Sequence, residues 1–136
     1  MPLPVVFDSD GLIKLAKAGA LERVLEAWTC LVPRAVYVET VERGLEAAYP
    51  DAAAISVALV LSSAAHAIVT DDAVFVAALA GAGLRYLLPA LVLVRLVQEQ
   101  RLQPAEALDH LERMRPFIRA EVYRAARSRL TAVQRG

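Results

Sequence analysis

The chain has 136 residues, 57% hydrophobic and 22% charged, with 15 basic and 15 acidic side chains in balance. That length suits one core burying roughly two thirds of the unfolded surface, and the apolar content excludes intrinsic disorder. A single cysteine, Cys30, excludes a disulfide scaffold and fits a reducing compartment, with the thiol in the core.

Val5-Val6-Phe7 is apolar without alternation, as in a strand buried on both faces. Asp8-Ser9-Asp10 supplies cap side chains for a helix through Lys17, which Gly19 ends. Leu21, Val24, Leu25 and Trp28 recur at spacings of three and four and predict a second short helix. Cys30-Leu31-Val32 reads as a strand, and Pro33 opens a helix carrying Val36, Val38, Val41 and Leu45, with Glu39 beside them. The pattern breaks at Tyr49-Pro50-Asp51, and Asp51 caps a helix over 52–63.

Ala67-Ile68-Val69 is the clearest buried strand. Thr70-Asp71-Asp72 caps a helix reaching Ala80, which Gly81-Ala82-Gly83 stops. Residues 85–88 add a last strand, and helices follow over 89–100, 104–114 and 116–130. Short strands alternating with helices predict an α/β fold with a parallel sheet. The expectation is one domain over 1–136, its motifs in 1–88 and a helical extension in 89–136.

Residues 52–70 run 19 positions without a formal charge, near spanning length. Three serines, His66, flanking aspartates and the lack of flanking Arg or Lys favour a buried helix running into a buried strand. Asp8 comes too early for a signal peptide, so a soluble, cytoplasmic protein without membrane contact is expected.

Charge is unevenly spread. Residues 1–72 carry ten acids against five bases, whereas from Arg113 onward there are seven arginines against Glu121 alone. That distribution offers a cation site and an anion-binding surface, or a basic helix pairing with its own acidic neighbours. Arg119, Arg124, Arg127 and Arg129 are the candidates for either role.

Open parallel sheets bind ligands beyond the carboxyl ends of their strands, and two predicted strands run into acid there. Clustered carboxylates repel and raise one another's pKa, a conflict that a divalent cation removes. Asp8, Asp10, Glu39, Asp51, Asp71 and Asp72 are the candidate oxygen donors, of a kind that Mg²⁺ or Mn²⁺ prefers. Such an ion polarises a phosphoryl oxygen and activates a bound water. Helix capping accounts equally for Asp10, Asp51 and Asp72, and solvation for Glu39, so both readings stand. Gly-rich phosphate loops, Cys/His metal patterns and nucleophile elbows are absent, and His66 and His110 read as structural or solvated.

Three segments taken in order resemble PIN-domain proteins, over residues 5–88. They are Val-Val-Phe-Asp-Ser-Asp-Gly-Leu-Ile-Lys-Leu-Ala-Lys-Ala-Gly, Val-Pro-Arg-Ala-Val-Tyr-Val-Glu-Thr-Val and Ile-Val-Thr-Asp-Asp-Ala-Val-Phe. The resemblance implies a three-layer α/β/α fold and a Mg²⁺- or Mn²⁺-dependent ribonuclease, in many cases a toxin paired with an antitoxin and often dimeric. It implies Asp8, Glu39 and Asp72 as the catalytic acids, with Asp71 competing for the last place and Asp51 a further metal ligand. Ser9 or Asp10 falls at the family's small hydroxyl position, and Ser9, Thr70, Arg119 and Arg124 become candidate RNA contacts. The family's middle acid falls where Ala54 stands. Asp51 fills that role only with an insertion; loss of the segment would leave a non-catalytic binding or interaction module.

Assembly is the remaining expectation. The apolar content exceeds the usual range of about 45–50%. Leu91, Val92, Val94, Leu96 and Val97 nearly surround their helix, more than one stripe requires. A homodimer through 89–100 or the C-terminal helices accounts for this surplus; wrapping of that helix within the monomer is the alternative.

Overall fold

Four short strands and six helices occupy residues 5–31, 67–81 and 83–135, the part of the chain that the computed structural model describes. In chain order they are β1 (Val5–Phe7), α1 (Ser9–Lys17), α2 (Leu21–Ala27), β2 (Cys30–Leu31), β3 (Ala67–Val69), α3 (Ala73–Gly81), β4 (Tyr86–Leu87), α4 (Pro89–Gln98), α5 (Pro104–Met114) and α6 (Ala120–Arg135). A 3-10 turn, Arg115–Phe117, joins the last two. The predicted helix opened by Pro33 and the one over 52–63, with Val32, Asp51 and His66, lie outside the described residues.

The strands form one all-parallel sheet in the order β2-β1-β3-β4, which places the fold in the α/β class. Phe7 pairs with Val69, Val5 with Cys30, and Ile68 with Tyr86. Successive strand side chains point to opposite faces. Val5, Phe7 and Val69 join the helical core, while Val6 and Ile68, on the other face, are fully buried too. Burial of both faces explains why these runs lack polar alternation.

Helix ends follow their chemistry. The Gly11 N–H donates to the Asp8 carboxylate at 2.8 Å, capping α1. At its other end Gly19 (φ 74°) donates to the Ala16 carbonyl and Ala20 to that of Leu15, both at 3.0 Å. This Schellman closure favours glycine because its φ is positive. His110 Nδ1 donates to the Ala18 carbonyl at 2.9 Å, so α5 caps α1 and this histidine is structural.

The structure accounts for the apolar helix and corrects one helix boundary. Ala90, Val92, Leu93, Val94, Leu96 and Val97 of α4 are buried within the chain, among residues of α1, α2, α5 and α6. The apolar residues of α4 are therefore covered within the chain, as the wrapping alternative expected. The predicted helix over 116–130 begins later: Pro116 sits in the 3-10 turn and Ile118 is extended (φ −126°, ψ 163°). The helix restarts at Ala120 and runs to Arg135. No described helix is long and apolar enough to cross a membrane.

Candidate active site

From β1 the chain proceeds to β2 on one side; from its neighbour β3 it proceeds to β4 on the other. The β1–β3 boundary is thus a topological switch point, where open parallel sheets form a crevice beyond their carboxyl ends. The Phe7–Val69 pairing sets Asp8 and Thr70 side by side one residue further on.

There the Thr70 hydroxyl donates to Asp8 Oδ2, while Oδ1 accepts from Gly11. Asp8 is 6% exposed and Thr70 fully buried. Burial pushes the Asp8 carboxyl up from its ordinary 3.8 to about 6. The Thr70 and Gly11 hydrogen bonds oppose that shift, and the charges of Asp10 and Asp72 add to it. The exposed Asp72 is connected through its backbone N–H, which donates to Thr70 Oγ1 at 3.2 Å.

Asp71 is held by cations instead. Its side chain is 2% exposed, with Lys14 Nζ 3.0 Å from Oδ2 and Arg119 Nη2 3.1 Å from Oδ1. Lys14 also reaches Asp10 at 3.2 Å, and Asp10 accepts the Asp71 backbone N–H at 3.0 Å. Two carboxylates and two cations thereby join α1, the β3–α3 turn and the residue leading into α6.

The fold thus brings Asp8, Thr70, Asp71, Asp72 and Arg119 to one end of the sheet, with Ser9 opening α1 there. Of the two competing last acids, Asp72 acts on Asp8, while both Asp71 oxygens carry cations. Arg119 realises the expectation of a basic segment paired with its own acids. Arg124 lies farther along on an exposed part of α6. Glu39 and Asp51 are outside the described residues. Sequence reading missed Lys14, although its i, i+4 spacing from Asp10 signals an ion pair on a helix.

Among the described residues no group of three or more His, Cys, Asp or Glu side chains is placed to hold a metal ion. The site does supply Asp8 and the nearby Asp72 as hard oxygen donors. A carboxylate oxygen that accepts one hydrogen bond retains a further lone pair. Two such groups match the few protein ligands that Mg²⁺ takes when waters and phosphate oxygens complete its shell. Comparison with family models, with curated proteins and with solved structures gave no match.

Proposed function

We propose that the chain is a PIN-like, divalent-metal-dependent ribonuclease in which Asp8 and Asp72 would hold Mg²⁺ or Mn²⁺. The observation carrying this reading is the meeting of Asp8 with Thr70 and Asp72 at the switch point. Asp8 is buried beside two further acids, an arrangement that costs stability and that a cation relieves. Burial of both faces of the sheet supports the three-layer architecture. When bound, the ion supplies Lewis acidity toward a phosphodiester and lowers the pKa of a water.

The chain's own residues prepare that chemistry. Thr70 and Gly11 fix the Asp8 carboxylate in one orientation, and the Thr70 hydroxyl couples it to the turn bearing Asp72. Lys14 and Arg119 neutralise Asp71 and keep its charge out of the crevice. Glu39, with Asp51 as a fourth acid, belongs to the ligand set in this reading, and RNA is the substrate. A cytoplasmic toxin held by an antitoxin is its biological form, with homodimerisation through a surface other than the buried face of α4.

Mg²⁺- or Mn²⁺-dependent cleavage of single-stranded RNA by the wild type, Asp8→Asn and Asp72→Asn is the test. Loss of cleavage in both variants, with the fold retained by circular dichroism, is the expected result. Equal cleavage by wild type and Asp8→Asn contradicts the assignment.

A second reading, a PIN-like interaction module without catalysis, draws on Asp71. There the fold balances an acid with its own cations, Lys14 and Arg119, instead of a metal. Calorimetric titration with Mn²⁺ separates the two: a site lost on mutation of Asp8 or Asp72 rejects the module.

A further inference from the structure

One exposed aromatic residue stands close to the acidic site. Phe117, at the end of the 3-10 turn, is 41% exposed, with Lys17 Nζ 4.3 Å from the centroid of its ring. The extended Ile118 packs against the core. Side chains alternate along extended backbone, so Phe117 and Arg119 turn outward on the same side, and both are exposed. Arg119 Nη2 is 3.1 Å from Asp71, the chain neighbour of Asp72.

Helix α1 keeps the same order. Lys14 and Lys17, three residues apart on one face, reach Asp71 and Phe117 respectively. A helix rises 1.5 Å per residue, so the two lysines step roughly 4.5 Å along the axis away from Asp8. The surroundings are cationic. A Cβ built on Gly19 would stand 2.9 Å from Arg113 Nη1, which sets that guanidinium at the end of α1, two residues past Lys17. Arg119 is drawn to Asp71 and Glu121, whereas Lys17 and Arg113 make no ion pair among the described residues.

We infer that Phe117 is a stacking platform for one unpaired base of the RNA strand whose phosphodiester lies at Asp8 and Asp72. The inference rests on the ribonuclease reading and deepens it by adding a base contact to a site otherwise made of charge. Lys17 covers one face of the ring and holds its plane by a cation–π contact, and a base would cover area that is still open. Every base has a π-face, so the contact tolerates any sequence. Bases of a duplex already stack on one another, so the platform selects single strands, loops and ends. An isolated exposed apolar residue is ordinary on a protein surface. Phe117 differs in its place, between Lys17 and the arginine that reaches the acidic turn. A protein partner would call for several apolar anchors around a dry centre, whereas Phe117 is interleaved with Arg115, Arg119 and Lys17, all exposed.

The test is binding, measured on the full chain carrying Asp8→Asn and without added metal, so that cleavage plays no part. Fluorescence anisotropy compares a short labelled single-stranded RNA with a strand of equal length lacking its bases. Phe117→Ala and Phe117→Leu are expected to weaken binding of the RNA by roughly tenfold, as for one base–aromatic stack, and to leave the abasic strand unaffected. Phe117→Tyr is expected to restore the affinity. A direct signature comes from Phe117→Trp, whose emission RNA is expected to quench beyond any change at Trp28, the one native tryptophan. Wild-type affinity in Phe117→Leu overturns the platform, as does equal weakening on both strands, which assigns the ring to shaping a phosphate contact. Capture of an acidic peptide more tightly than RNA, lost in Phe117→Ala, also overturns it and assigns the face to a protein. Failure of the ribonuclease reading shows separately, as RNA left uncleaved by the wild type with Mn²⁺ while the aromatic-dependent binding persists.

Discussion

Asp8 sets burial against charge at a single side chain. Its folded carboxyl titrates near 6 against an ordinary 3.8, so the native state binds this proton more tightly than the unfolded state. The stability contributed by the protonated form is complete below about 3.8 and is lost as pH rises through about 6. The shift corresponds to a difference on the order of 3 kcal/mol. Asp8→Asn, neutral and of equal size, is therefore expected to gain stability over wild type as pH rises through that window. Urea unfolding at the two ends of the window measures it, and a gap that does not change with pH contradicts the burial argument. Asp71 makes the complementary case: its side chain is 2% exposed whereas that of Arg119 is 49% exposed. Asp71→Ala leaves Lys14 and Arg119 without their shared anion and is expected to cost about 3 kcal/mol. Arg119→Ala, on the wetter side with Lys14 still in place, is expected to cost less than about 1 kcal/mol. Equal losses in urea titrations would show that the pairing is not organised by burial. Asp8 was legible in sequence because acid abruptly ends an apolar run. The pairs of Asp71 were not, because Lys14 is 57 and Arg119 48 residues away, and a charge reads alike whether solvated or paired.

At the scale of elements, local chemistry carried the reading. β3 at Ala67–Val69 and α5 at Pro104–Met114 fall where the apolar run and the proline signal placed them. The start of α6 was misplaced because Pro116 suits a first helical turn equally well in a 3-10 segment, and the extended Ile118 that separates them has no local signature. Contact between elements was equally hidden. Gly11 reads as an ordinary helix residue, yet a Cβ built there would stand 2.3 Å from the Val69 carbonyl oxygen. Glycine is what lets the first turn of α1 lie against the end of β3, and so what lets Asp8 meet Thr70. Gly11→Ala must push α1 from the sheet and is expected to cost about 3 kcal/mol by overpacking. A melting temperature unchanged by that substitution contradicts so close an approach.

The whole molecule shows what periodicity cannot carry. Alternating strands and helices announced a parallel sheet, but the order β2-β1-β3-β4 depends on pairing between distant segments. That order makes the β1–β3 boundary a switch point and turns two unremarkable acidic strand ends into one candidate site. Composition left a choice open in the other direction. The apolar circumference of α4 suited a second copy or wrapping within the chain, because residue counts do not register the helices α5 and α6 that close over it. The central claim is that Asp8 and Asp72 converge on one divalent cation, and crystals grown with Mn²⁺ test it most directly through anomalous scattering. One peak about 2.1 Å from carboxylate oxygens of both residues is the predicted result. Crystals with no manganese peak between these residues, in a fold otherwise unchanged, would contradict it.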